Sequence, residues 1–159
     1  MADQTPPADT SPETPAALTA APGFQIRRLY QAYLAAWARE VDPVLTGPQF
    51  AVLQAVEANP GRDQRSMAAA VSLDTSTMAD VARRLEKRGL LARRTAAADG
   101  RRKLLYLTDA GLATLRDANH RARTLDKILL ASVDEDAHES FVATLRELAD
   151  RWEGLAEGS

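Results

Sequence analysis

Between positions 62 and 103 stand eleven Lys and Arg residues against five acids, in a chain whose formal net charge is only −2. Cations packed at that density suit phosphate, because clustered Lys and Arg displace condensed counterions from a duplex. Two constellations lie inside the block. From Thr75 to Arg88, a helical wheel puts Met78, Val81, Ala82 and Leu85 on one side and Ser76, Asp80, Arg83 and Lys87 on the other. Thr75 stands at the start, and Thr77 and Arg84 lie on the flank. Hydroxyls at a helix N-terminus with cations further along can read base edges and grip phosphates in a major groove. On an isolated helix the same residues would be an ordinary solvated face. The second constellation is Arg93, Arg94, Arg101, Arg102 and Lys103, five cations in eleven residues around Asp99-Gly100. Asp-Gly between two short extended runs signals a hairpin, and Asp99 is close enough to brace Arg101. An Arg-tipped hairpin is suited to a narrow minor groove.

Neighbouring elements decide between these readings. Ile26, Leu29, Tyr30, Tyr33, Leu34, Trp37 and Val41 recur at helical spacing from Phe24, and Pro43 ends that helix. Thr46-Gly-Pro-Gln opens a second helix that Asn59-Pro60-Gly61 closes. A short helix over Ser66–Val71, a break at Ser72-Leu73-Asp74, and a helix capped by Asp74 and stopped by Gly89 outline a helix-turn-helix. Strands at Leu90–Thr95 and Lys103–Leu107 follow, then a long helix capped by Thr108 and interrupted near Ser132-Val133-Asp134. The last helix carries Phe141, Leu145, Leu148, Trp152 and Leu155, a seam for another helix of this chain or of a second one. The expected fold is all-α with a small β-hairpin wing, a winged helix-turn-helix. Residues 1–23, with three acids, no base and five prolines up to Pro22, read as a disordered acidic tail.

Composition narrows the classes further. The 159 residues are 45% hydrophobic and 5% aromatic, enough for one Ala-rich, helix-favouring domain. With no cysteine there is no disulfide, thiolate metal site or thiol redox switch. No apolar run approaches the roughly 20 residues that span a bilayer, so no membrane role and a soluble, cytoplasmic protein are expected. An enzyme is not expected: there is no Gly-rich phosphate loop and no carboxylate constellation, and His120 and His138 lack the partners a metal needs. No cofactor and no metal are expected. Residues 104–159 carry six bases against eleven acids, which suits them to lie away from a polyanion.

The stretch LDTSTMADVARRLEKRGLLARRTAAADGRRKLLYLTDAG resembles the winged helix-turn-helix of the MarR family of bacterial transcription regulators. The matching motifs are the capped helix, Leu85-Glu-Lys-Arg-Gly89-Leu, Asp99-x-Arg101 and Leu107-Thr108-x-x-Gly111. The helix order extends the likeness over residues 24–156. It implies an intertwined helical homodimer, with 24–45 and 108–157 as dimerisation helices and 46–107 as the DNA-binding lobe within a single domain over 24–159. It further implies a palindromic double-stranded operator, Asp99 and Arg101 as the wing pair, and Ser76, Thr77 and Arg83 in the groove-facing helix. Arg102 belongs with the same DNA-binding set. LTGPQFAVLQAVEANPGRDQ is similar to family members that answer to small aromatic acids, such as repressors of protocatechuate breakdown, whose first helix supplies an Arg to the ligand carboxylate. Arg27 edges the apolar stripe and fits that role better than Arg28, with Tyr33 and Trp37 as hydroxyl contact and aromatic wall. The residues themselves equally allow Tyr33 and Trp37 to be dimer-core aromatics and Arg27 to pair with a partner's acid. The alternative function is a helical protein, or a regulator without a small-molecule ligand, whose winged lobe binds a protein partner.

Overall fold

A computed structural model describes residues 13–96 and 99–157, apart from the side chains of residues 99, 100, 156 and 157. The helices are α1 (Ala16–Thr19), α2 (Pro22–Glu40), α3 (Gly47–Ala58), α4 (Gln64–Ala70), α5 (Thr75–Lys87), α6 (Asp109–Leu129) and α7 (His138–Glu157). A hairpin of β1 (Leu91–Ala96) and β2 (Asp99–Leu107) separates α5 from α6, and a 3-10 turn over Glu135–Ala137 precedes α7. Among the described residues no helix is long and apolar enough to cross a membrane.

Local chemistry accounts for the boundaries. Pro22 and Pro48 open α2 and α3 in the first turn, where a missing N–H costs nothing. Thr46 and Gln49 form a reciprocal capping box on α3. Asp63, Asp74 and Thr108 cap α4, α5 and α6 through their side chains. Gly89 takes φ +71° beyond α5, the left-handed stop expected there. Ser72, at φ 50°, makes the sharp turn between α4 and α5.

Three expected boundaries moved. Part of the segment read as a disordered tail is helical: α1 forms a single exposed turn and α2 starts at Pro22, because the proline nucleates it. Residues 1–12 of that tail lie outside the described residues. α4 begins at Gln64, since Asp63 rather than a later residue caps it. β2 begins at Asp99 instead of Lys103, and its register against β1 shifts between Thr95 and Ala96.

The segment before α4 is tied to the two-stranded hairpin by one isolated bridge. The Gly61 N–H donates to the Leu105 carbonyl at 2.8 Å, the Leu105 N–H donates to the Arg62 carbonyl at 3.0 Å, and Asp63 bridges Leu104 in antiparallel fashion. Gly61 is needed there, with φ +79° and the Tyr106 hydroxyl 2.9 Å from where a Cβ would stand.

One core gathers Trp37 and Val41 from the end of α2 with Leu45, Val52, Leu53, Val56, Met78, Leu85, Leu91, Leu105, Leu115 and Leu125. The broad stripe of α2 therefore divides. Trp37 and Val41 are buried and Tyr33 packs against the core, whereas Ile26, Leu29, Tyr30 and Leu34 stay exposed. Phe141, Leu145, Leu148, Trp152 and Leu155 of α7 are exposed as well.

Candidate nucleic-acid interface and effector pocket

Met78, Val81, Ala82 and Leu85 bury one side of α5 among residues of the lobe core. That fixes the opposite side outward, with Thr75, Ser76, Asp80, Arg83, Arg84 and Lys87 exposed and Thr77 partly covered. The helix therefore presents the face that its wheel predicts, because only one face of it is apolar.

At its N-terminus a single carboxylate orders four donors. Asp74 Oδ1 accepts from the backbone N–H of Ser76 at 2.9 Å and of Thr77 at 2.8 Å. The Ser76 hydroxyl donates to Oδ1 and the Thr77 hydroxyl to Oδ2, each at 2.5 Å. These bonds, the Ser76 hydroxyl foremost, hold the Asp74 carboxyl well below the usual carboxylate range. Both hydroxyls spend their proton on Asp74, so each presents lone pairs outward as an acceptor. Further along, Arg83 pairs with Asp80 one turn back, and Arg84 and Lys87 make no ion pair among the described residues.

The wing is tied to the helices at both strands. Glu86 of α5 accepts from Arg93 Nε of β1 at 2.8 Å, and Arg93 draws its carboxyl down. Arg102 of β2 donates through Nη2 to Asp63 Oδ2 at 2.8 Å. Arg94 lies over the Tyr106 ring, 4.8 Å from its centroid, and the Lys103 ammonium donates to the Thr95 hydroxyl at 2.9 Å. Asp63, Gln64, Arg65, Arg101, Arg102 and Lys103 line one open groove between α4 and β2. The Asp99 carboxylate, expected to brace Arg101, lies outside the described residues' side chains.

The candidate pocket residues on α2 are not equivalent. Trp37 is 5% exposed, donates its indole N–H to the Leu45 carbonyl at 2.6 Å, and meets the rings of Tyr33 and Phe50 at centroid distances of 5.9 and 5.0 Å. It packs in the core of its own chain. Tyr33 is half-covered, with its hydroxyl pKa pushed up by burial and by Asp126. Arg27 is exposed with its guanidinium 5.2 Å from the Phe24 ring centroid, and Arg28 donates to Gln25 Oε1 at 2.9 Å. Arg27 and Tyr33 share one helix, about 9 Å of rise apart.

Sequence reasoning missed Asp63, Glu86 and Arg88. Asp63 carried a legible signal, an Asp three residues before Ser66 at the mouth of a short helix. Glu86 and Arg88 carried none, because their partners are brought by tertiary folding. Arg88 Nη1 reaches Gln49 Oε1 at 3.3 Å, and Gln49 is the one polar side chain among the buried residues described.

Two helices in helix-turn-helix arrangement, an outward polar helix face and a cationic two-stranded wing make this a winged helix-turn-helix, a fold class suited to duplex DNA. The MarR family profile matches residues 45–103. The transcriptional regulator HosA of Escherichia coli O157:H7 is 35% identical over 124 residues, 78% of this chain and 91% of HosA. The chain accordingly belongs to the MarR family. Its fold is similar to that of the PcaV transcriptional regulator of Streptomyces coelicolor in complex with its natural ligand. There the identity is 40%, the TM-score 0.82, and the match covers 87% of this chain and 98% of PcaV. It is also similar to Bordetella bronchiseptica BpsR, whose DNA binding is regulated by 6-hydroxynicotinic acid. That match has 28% identity and a TM-score of 0.73, over 80% of this chain and 97% of BpsR.

Proposed function

We propose that the protein is a repressor that binds a palindromic operator as a homodimer and is released by a small aromatic carboxylate. The observation that carries the dimer is the uncovered apolar surface: Leu29, Tyr30, Phe141, Leu145, Leu148 and Trp152 are exposed on α2 and α7. Exposed apolar side chains in such number favour a cover, and two copies can cover each other's. The acidic α7 then lies away from DNA while two lobes face it.

In this reading Thr75, Ser76, Thr77, Asp80, Arg83, Arg84 and Lys87 enter the major groove, and Asp99, Arg101 and Arg102 belong to the wing at the flanking minor groove. Ser76 and Thr77 act as acceptors, which suits them to the amino groups of cytosine and adenine.

The effector reading is supported by the likeness to PcaV and by BpsR's response to an aromatic acid. Arg27 is the carboxylate partner, by a bidentate pair. Tyr33, half-covered on the same helix, is the hydroxyl contact. Release follows from a shift toward a lobe spacing that no longer fits two half-sites. A hundredfold loss of affinity needs roughly 2.7 kcal/mol of ligand preference for that spacing.

The test is anisotropy on duplexes selected from a random library, with and without a panel of aromatic carboxylates, alongside sedimentation. Recovery of inverted repeats bound by two protomers and released by one acid is expected. Binding that no acid disturbs would remove the effector and leave the regulator. Binding by a single protomer to a non-repeated site would remove the dimer.

A further inference from the structure

We propose that Asp63 is a positioning residue for duplex binding, and that Arg102, which it holds, is a brace for the wing instead of a phosphate contact. This rests on the reading that the wing meets the duplex.

Two elements, α4 and β2, converge on the Asp63 carboxylate. Oδ1 accepts from the Ser66 N–H at 3.1 Å and caps α4. Oδ2 accepts from the Ser66 hydroxyl at 2.8 Å and from Arg102 Nη2 at 2.8 Å. Its backbone makes an isolated antiparallel bridge to Leu104 of β2. One side chain therefore joins the first helix of the helix-turn-helix to β2, across 39 positions of sequence. The Asp63 side chain is 16% exposed and that of Arg102 57% exposed, so the anchor is held in the fold while the brace reaches out to it.

A charge-assisted bond to a carboxylate already ordered by two other donors is directional and costs little further ordering. Arg102 bound this way has less guanidinium to offer a phosphate, and Asp63 sets an opposing charge beside it. With Glu86–Arg93 on the other strand, the wing is aimed by two ion pairs, one from each helix of the helix-turn-helix. Arg65, Arg101 and Lys103 line the same groove and add positive charge there.

The experiment is operator binding by the full-length protein over a range of salt, on the selected duplex. Asp63→Ser keeps a side-chain oxygen to cap α4 but removes the carboxylate from Arg102. Asp63→Ser and Arg102→Ala are each expected to weaken binding about tenfold, with the double variant no weaker than the worse single one. Arg102→Ala should leave the slope of log affinity against log salt unchanged, because no phosphate pair is lost. A slope shallower by about two, one per lobe of a dimer, with Asp63→Ser binding at least as tightly as wild type, would make Arg102 a phosphate contact and overturn the proposal. If Asp63→Ser melts early, Arg102→Ala leaves the α4 cap intact and decides the matter by slope alone. Arg101→Ala separates the two readings. If it weakens binding while Asp63→Ser and Arg102→Ala do not, only the brace fails. If all three leave affinity and slope unchanged, the wing does not meet the duplex and the brace falls with it.

Discussion

A Cβ on Gly111 would overlap the carbonyl oxygen of Leu90 and lie 3.0 Å from its carbonyl carbon. The start of α6 is pressed this closely because Thr108 donates both its N–H to the Leu90 carbonyl at 3.2 Å and its hydroxyl to the Gly89 carbonyl at 2.6 Å. Backbone on both sides leaves nothing to rotate away. Gly111→Ala should therefore destabilise the fold by about 2 kcal/mol, as overpacking does. Thermal melting checks this, and a midpoint equal to wild type would contradict the close approach.

Arg83 faces outward from α5 and, among the described residues, pairs with Asp80 of the same helix. Arg83→Ala should weaken operator binding about tenfold and make the salt slope shallower, without altering assembly or melting. Asp80→Ala, which frees the Arg83 guanidinium, should leave phosphate binding intact and change which sequences are preferred. Anisotropy against a set of single-base operator variants reads both effects.

Arg27 and Trp37 should separate cleanly. Arg27 is exposed on α2, so Arg27→Ala should keep its stability and its DNA binding but lose release by an aromatic carboxylate. Trp37 is packed against Phe50 and bonded to Leu45, so Trp37→Ala should cost about 3–5 kcal/mol of stability. Release measured on the Arg27 variant and melting of the Trp37 variant check the pair.

Acid should act through the carboxylates that organise the lobe. Asp63, Asp74 and Glu86 are all held below their ordinary range, chiefly by Arg102, Ser76 and Arg93 respectively. A folded carboxyl held low stabilises the fold above its unfolded pKa and loses that contribution as pH falls toward the folded value. Asp126, raised by burial, acts with the opposite sign. The melting midpoint should be level between about pH 7 and 5 and decline below about 4. Asp74→Ser, which caps without titrating, should make the acid limb shallower. A midpoint level down to about pH 3 would show that these carboxylates do not couple to folding.

Much of the site was legible because its signals are local. The Asp74 cap, the Gly89 stop and the buried side of α5 each follow from residues within a turn or two of one another, where periodicity and capping act. The outward set from Ser76 to Lys87 then follows from the buried set by geometry. The helices expected from Phe24 and Ser66 each start two residues earlier, at Pro22 and, after the Asp63 cap, at Gln64.

What the residues determined by themselves was the helix-turn-helix, the hairpin and the segregation of charge, since these depend on neighbours in sequence. Only the tertiary structure decided how each charge is used. Arg93 and Arg102 looked like further cations of a phosphate-seeking wing, yet folding sets Glu86 and Asp63 against them. The stripe on α2 looked uniform, yet packing against α3 and the loop before it buries Trp37 and leaves Leu29 and Tyr30 uncovered. A side chain's type states what it can bind. Which partner it meets depends on contacts between different elements, from seven to 39 positions apart in these two ion pairs, which only chain folding brings together.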